Sequence, residues 1–255
     1  MLELLLQLRD YNQDGMERDG GPMYAETNFD HFIAEPINGI SAAIFIIIVA
    51  YFTWKLRGKF MEHKFMSSSL LLLLVGGVGG TIYHLFRLHP VFLHMDWGPI
   101  MILCLAASVF FYRMSGGKWI HVLIASAGYV AISYLMYYNM FSDNPLFPRQ
   151  YVVNINYAIM AILILVPVYL ILMKTKFHQA RWIYIGVGGF VAAIIFRMLD
   201  ATDWVQINLD GVGTHFLWHV FGALACFSIF QYVYELGEYM NERNMVHSVE
   251  EGNFA

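Results

Sequence analysis

Seven stretches of this chain, at about 37–57, 68–87, 91–112, 119–138, 153–173, 181–199 and 212–235, are each apolar for about twenty residues. A hydrocarbon core about 30 Å thick takes about 20 residues of helix to cross. The pattern predicts an all-α protein, a seven-transmembrane helix bundle. Only 13% of the residues are charged, against about 25% in ordinary soluble domains. Charge or Gly, Pro and Asn bound each stretch, as at the basic run Lys55–Lys59, the link Leu88–Pro90, the loop Ser142–Pro148 and the segment Lys174–Lys176. Pro167 is expected to kink the fifth span, which membrane helices tolerate.

The domain reading is a polar N-terminal segment at 1–36, a seven-helix body at 37–236 and a polar tail at 237–255. The opening MLELLLQLRDYNQDG lacks a basic region and a small-residue cleavage site. It reads as an amphipathic interfacial stretch, not a signal peptide. Net charge is −4 with no basic patch outside the loops, so nothing points to a nucleic-acid partner. Cys104 and Cys226 fall within apolar spans and suggest no disulfide framework.

Basic residues sort by loop. The links after spans one, three and five, with their edges, hold Lys55, Arg57, Lys59, Lys64, Arg113, Lys118, Lys174, Lys176 and Arg181. The links after spans two and four hold Arg87 and Arg149. By the positive-inside rule the N-terminus is outside and the C-terminus cytoplasmic, although the N-terminal tail carries Arg9 and Arg18.

On that topology the ionisable residues gather in one layer. Glu35 and Asn38 open span one, His84 closes span two, and His94 and Asp96 open span three. Arg197 and Asp200, three residues apart and able to pair, close span six, and His215 and His219 open span seven. All fall in the outer third of the bundle. Ionisable residues at membrane depth suggest function by default. Residues four apart on a helix share a face, so His215 and His219 can present two imidazoles to one ion. His84, at the same depth, is the candidate third ligand of a three-histidine zinc site. Asp96 would then be the carboxylate that moves the proton of an attacking water. A haem held by His84 and His215 would leave His219 surplus; a receptor or a proton relay could use the same layer. His31, His63, His89, His121, His178 and His247 lie in loops, tails or span edges and read as structural.

Three blocks resemble the alkaline ceramidases, in the superfamily that also holds the adiponectin and progestin receptors and the hemolysin-III-like proteins. They are Glu26–Phe29 with Ile33–Asn38, similar to E-x-N-Y and I-A-E-x-x-N; Gly79–His84 with Asp96 downstream, similar to G-S-x-x-x-H and its Asp; and Phe196–Asp200 leading to His215–His219, similar to the closing H-A-W-W-H. The resemblance implies a seven-helix, zinc-dependent lipid amidase that hydrolyses ceramide to a sphingoid base and a fatty acid. A relative acting on another lipid amide or ester, or a lipid-sensing receptor, would keep the same zinc set. His84, His215 and His219 match the zinc ligands and Asp96 the acid that activates water. The resemblance also implies a Ca²⁺ site before span one, from Glu26, Asn28, Glu35 and the carbonyl of Tyr24. Two departures stand out. Gly80 replaces the serine four residues before the first zinc histidine, with Thr81 about 100° round the helix. Met23 replaces the leading calcium Asp, and the spacing to Glu35 is two residues shorter, with Asp30 a possible compensation.

Overall fold

The computed structural model describes residue 19 and residues 21–140 and 149–250. The interfacial opening and the loop Ser142–Pro148 lie outside the described residues. In chain order the helices are α1 (Pro36–Ala42), α2 (Ile44–Lys55), α3 (Lys64–Phe86), α4 (Pro90–Met114), α5 (Trp119–Met140), α6 (Arg149–Lys174), α7 (Ala180–Asp200), α8 (Asp203–Asn208) and α9 (His215–Glu250). Taking α1 and α2 together, seven helical segments are long and apolar enough to span a membrane. This is an all-helical, seven-span bundle, the architecture of a multi-pass membrane protein. Large apolar side chains such as Leu123, Ile124, Leu135, Ile162 and Tyr184 are well exposed, as a lipid-facing surface requires. A soluble protein rarely leaves so many large apolar side chains uncovered.

The spans begin and end near the expected positions, with two differences. The seventh does not stop at residue 236 but continues as helix to Glu250. Gly237 weakens a helix by about 1 kcal/mol relative to alanine, yet it lies inside α9 because the His63 imidazole packs against it, at 2.9 Å from where a Cβ would stand. The second difference concerns the body predicted as one domain at 37–236. It forms two compact units: the described residues up to Ile100 with those from Gln179 on, and Met101–His178. The boundary follows Pro99, which lies inside α4 and removes a helical hydrogen bond there. Pro167 likewise lies within α6, which is helical through it.

In the first unit, α9 packs on α7, α1 and α2, and α1 and α2 pack on α3. Glycines set how closely α4 approaches α3. A Cβ on Gly79 would stand 3.0 Å from the Met95 carbonyl oxygen, and one on Gly76 would stand 3.3 Å from Ile100. Small residues permit such close backbone contact between membrane helices. The segment before α1 is tied across the ends of these helices. Ala34 N–H donates to the Leu85 carbonyl (2.8 Å), and Gly211 N–H donates to the Ala25 carbonyl (3.0 Å). In the second unit α5 packs on α6, with Ser133 donating to Asn156 (2.7 Å) and Lys174 to the Ser115 carbonyl (2.6 Å).

Candidate metal centre

Four helix ends meet in one polar layer of the first unit: the start of α1, the last turn of α3, the start of α4 and the first turns of α9. Each end brings its residues there for a local reason. Helix α9 starts at His215 because Asp200, the last residue of α7, receives its free N–H groups. One Asp200 oxygen accepts from Thr214 N–H (2.6 Å) and His215 N–H (2.9 Å), and the other from Ala25 N–H (3.4 Å). Such a carboxylate satisfies orphan donors and favours the positive helix end. Gly213 precedes the helix at φ +66°, and a Cβ there would come 2.5 Å from the Asp200 carboxylate, so only glycine fits. Asp200 was expected to pair with Arg197. Its carboxylate instead serves the backbone, while the Arg197 guanidinium lies over the Trp218 ring at 5.2 Å.

His84, expected from its depth, comes together with His215 and His219, expected from their spacing. They are all but fully buried, with ring centres 4.8–5.2 Å apart. One ligand nitrogen from each lies within 4.8 Å of the others. Hydrogen bonds define two of the tautomers. His84 Nδ1 is 2.5 Å from Glu35 Oε2. A carboxylate only accepts, so Nδ1 carries the proton and Nε2 presents its lone pair. The Ser41 hydroxyl donates to the Asn38 carbonyl (2.9 Å) and stands 2.8 Å from His219 Nδ1. Its one proton is thereby committed, so His219 Nδ1–H donates to it and Nε2 is again the free nitrogen. His84 Nε2 and His215 Nδ1 are buried with no hydrogen-bond partner. Buried polar atoms are rarely left so, and each is costly in a bilayer. His84 is orphaned at one nitrogen and held at the other by a carboxylate, and His219 is held by a hydroxyl, as zinc-binding histidines are held by their outer partners. The residues present fit a zinc ion.

Asp96 lies beside this cluster. Its carboxylate rests against Gly80, with Cγ 3.2 Å from where a Cβ would be. Gly80 is one turn before His84 on the same face of α3, and Asp96 lies within electrostatic reach of His84, Arg197 and Glu35. A side chain in place of Gly80 would therefore collide with the Asp96 carboxylate. Thr81 offers no replacement, since its hydroxyl donates back to the Gly77 carbonyl (2.7 Å). The Tyr24 ring stacks on His215, centres 3.8 Å apart. His94 is exposed beside Trp97.

The residues expected to bind Ca²⁺ do not form a cation cradle. Glu26 accepts from the N–H groups of Ile37 (2.5 Å) and Asn38 (2.8 Å), capping α1. Burial pushes its pKa up, with those two N–H groups pulling the other way. Asn28 is exposed and accepts from Asp30 N–H (2.9 Å). The Tyr24 carbonyl accepts from Thr27 N–H (3.0 Å) in a turn, and Met23 is exposed. Glu35 is completely buried and has every acceptor site filled. Oε1 takes Thr27 Oγ1 (2.6 Å) and Arg87, and Oε2 takes Asn38 Nδ2 (3.1 Å) and His84. Burial alone would raise the Glu35 pKa. The hydrogen bonds from His84 and Thr27, with the Arg87 charge, overcome it and hold the carboxyl below its usual range.

Sequence reasoning missed Asp19, Thr27, Ser41 and Arg87. Glu35, Asn38 and Ser41 recur every third residue at the start of span one, a polar stripe in an apolar helix that could have flagged Ser41. Arg87 looked like an ordinary loop charge.

The fold and this layer define a class: a multi-pass helical membrane protein with a buried three-histidine cluster able to hold a metal. No family profile and no curated protein sequence matches the chain.

Proposed function

We propose that the chain is a zinc-dependent intramembrane hydrolase of a lipid amide, with ceramide the expected substrate class. One observation carries this reading: three buried imidazoles converge with two nitrogens orphaned, and a carboxylate lies one helical turn away. The resemblance to the alkaline ceramidases supports it. The positive-inside pattern would put this layer on the non-cytoplasmic side.

His84, His215 and His219 would hold the metal. When bound, zinc supplies Lewis acidity toward an amide carbonyl and makes water a nucleophile near neutral pH. Glu35 and Ser41 keep the His84 and His219 tautomers that leave Nε2 available. Asp96 takes a proton from the attacking water and passes it to the departing amine nitrogen. The apolar helix faces around the layer let the chains of a lipid lie in the bilayer while its amide reaches Asp96. A haem reading fares worse. With each ring within about 5 Å of the other two, no slot is left for a porphyrin between any pair.

The test is Asp96→Asn in purified protein, with a fluorescent ceramide. Zinc content should stay at the wild-type level while turnover falls about 10²–10⁴-fold, the usual contribution of a general acid–base. Undiminished turnover would remove Asp96 from the mechanism. Zinc-loaded wild type that leaves ceramide intact would sink the amidase reading.

A further inference from the structure

Arg87 is the most unusual residue of the layer. It follows the last turn of α3 in the left-handed region, at φ +48° and ψ +44°, where a residue with a side chain is uncommon and strained. Its side chain is among the largest in the protein to be fully buried, at 1% exposure. The guanidinium forks between two buried carboxylates. Nε and Nη2 donate to the two oxygens of Asp19, Nη2 at 2.9 Å, and Nη1 donates to Glu35 Oε1. Nη1 also reaches Thr27 Oγ1 at 3.4 Å. Tyr83 covers one face, 4.8 Å from the guanidinium carbon to the ring centre. An arginine keeps its charge in proteins, and here two carboxylates flank it. Glu35 in turn holds His84 Nδ1, making one continuous chain: Asp19, Arg87, Glu35, His84.

We propose that the Arg87 guanidinium is a built-in cation. It takes the place a calcium ion would fill between the N-terminal segment and the first span, and it positions His84 through Glu35 without any divalent ion. The oxygens expected to ligate calcium are each bound by a side chain around Arg87, by a helix N-terminus or within a turn. A permanent cation joins Asp19 to Glu35 and fixes the carboxylate that sets the His84 tautomer. Arg87 is a positioning residue: it touches neither the orphaned nitrogens nor Asp96. The inference concerns how His84 is supported and holds whatever reaction the layer performs.

The experiment uses the full chain in detergent and reads calcium binding, thermal midpoint and zinc affinity, none of which depends on turnover. Calcium-stripped wild type given millimolar Ca²⁺ should bind far less than one ion per chain and keep its midpoint. About one bound Ca²⁺ per chain, lost in Glu35→Gln, overturns the proposal. Arg87→Met should weaken zinc affinity about 10- to 100-fold, the usual cost of losing support behind a metal-binding histidine. Arg87→Lys, which keeps the charge but not the fork, should recover part of that loss. A variant that melts lower but binds zinc with wild-type affinity would reduce Arg87 to a structural residue and refute the positioning role. Should Arg87→Met not fold, Arg87→Lys and the wild-type calcium measurement still decide the matter.

Discussion

Helix α3 joins two polar layers about 30 Å apart along its axis, one at His84 and one at His63, and each sets a histidine beside carboxylates from other segments. At the lower layer His63 Nε2 meets Glu238 (2.9 Å), Lys59 meets the other oxygen of Glu238 (2.7 Å), and Lys55 reaches Gln231 (2.7 Å). Glu62, His63 and Glu238 also bring ligand atoms within 4.8 Å of one another. Proximity of ligands therefore does not separate the two layers; the state of their partners does. Glu238 is already neutralised by a lysine and is about 30% exposed, so water and salt weaken whatever it does. At the upper layer the rings are all but fully buried, two nitrogens have no partner, and the buried Arg87 guanidinium is engaged by Asp19 and Glu35. A metal candidate is marked by what is missing, not by how many ligands cluster.

The most direct way to break this contrast is to remove ligands from each layer in parallel. Replacing His215 and His219 together by alanine should take zinc from about one per chain to near none. His63→Ala should leave zinc at the wild-type level. Elemental analysis of the purified proteins reads both. Zinc that followed His63 would reverse the assignment of the two layers.

Much of the upper layer was legible in the sequence because membrane helices obey two strong rules. Length against bilayer thickness gave the seven spans to within a few residues, apart from the C-terminal end of the seventh, and the four-residue spacing of His215 and His219 put both rings on one face. His84 and Asp96 followed from depth alone. Hydrogen-bond partners were not legible, because they come from segments without periodicity. Glu35 was expected to help bind calcium, yet it holds His84 and Arg87, since nothing in the pattern of residues 19–35 shows which way a carboxylate turns. Asp200 misled for a related reason: a partner three residues away on its own helix looked sufficient, whereas the bare N-terminus of α9 was the stronger demand. Gly80 read as a missing serine; it is the space that the Asp96 carboxylate fills.

That space gives a sharper test within the upper layer itself. Gly80→Ala puts a methyl group where the Asp96 carboxylate rests and leaves the three histidines untouched. Turnover should fall about 10- to 100-fold, as expected when a catalytic group moves by about 1 Å, while zinc content stays unchanged. Loss of zinc together with turnover would mean the methyl group disturbs α3 as a whole. Unchanged turnover would mean that Asp96 does not depend on this contact for its position.

The smallest effect belongs to the lower layer. Glu238→Gln removes the charge that Lys59 and His63 share and leaves one acceptor oxygen where there were two. Partly exposed pairs of this kind contribute little, so the thermal midpoint should drop by no more than about 2–3 °C in a domain of this size. The drop should shrink further as salt is raised, because screening already weakens the pair in the wild type. Zinc content should not change. A large, salt-insensitive loss would show that this layer, like the one around His84, is sealed from water, and the distinction between the two would have to rest on the orphaned nitrogens alone.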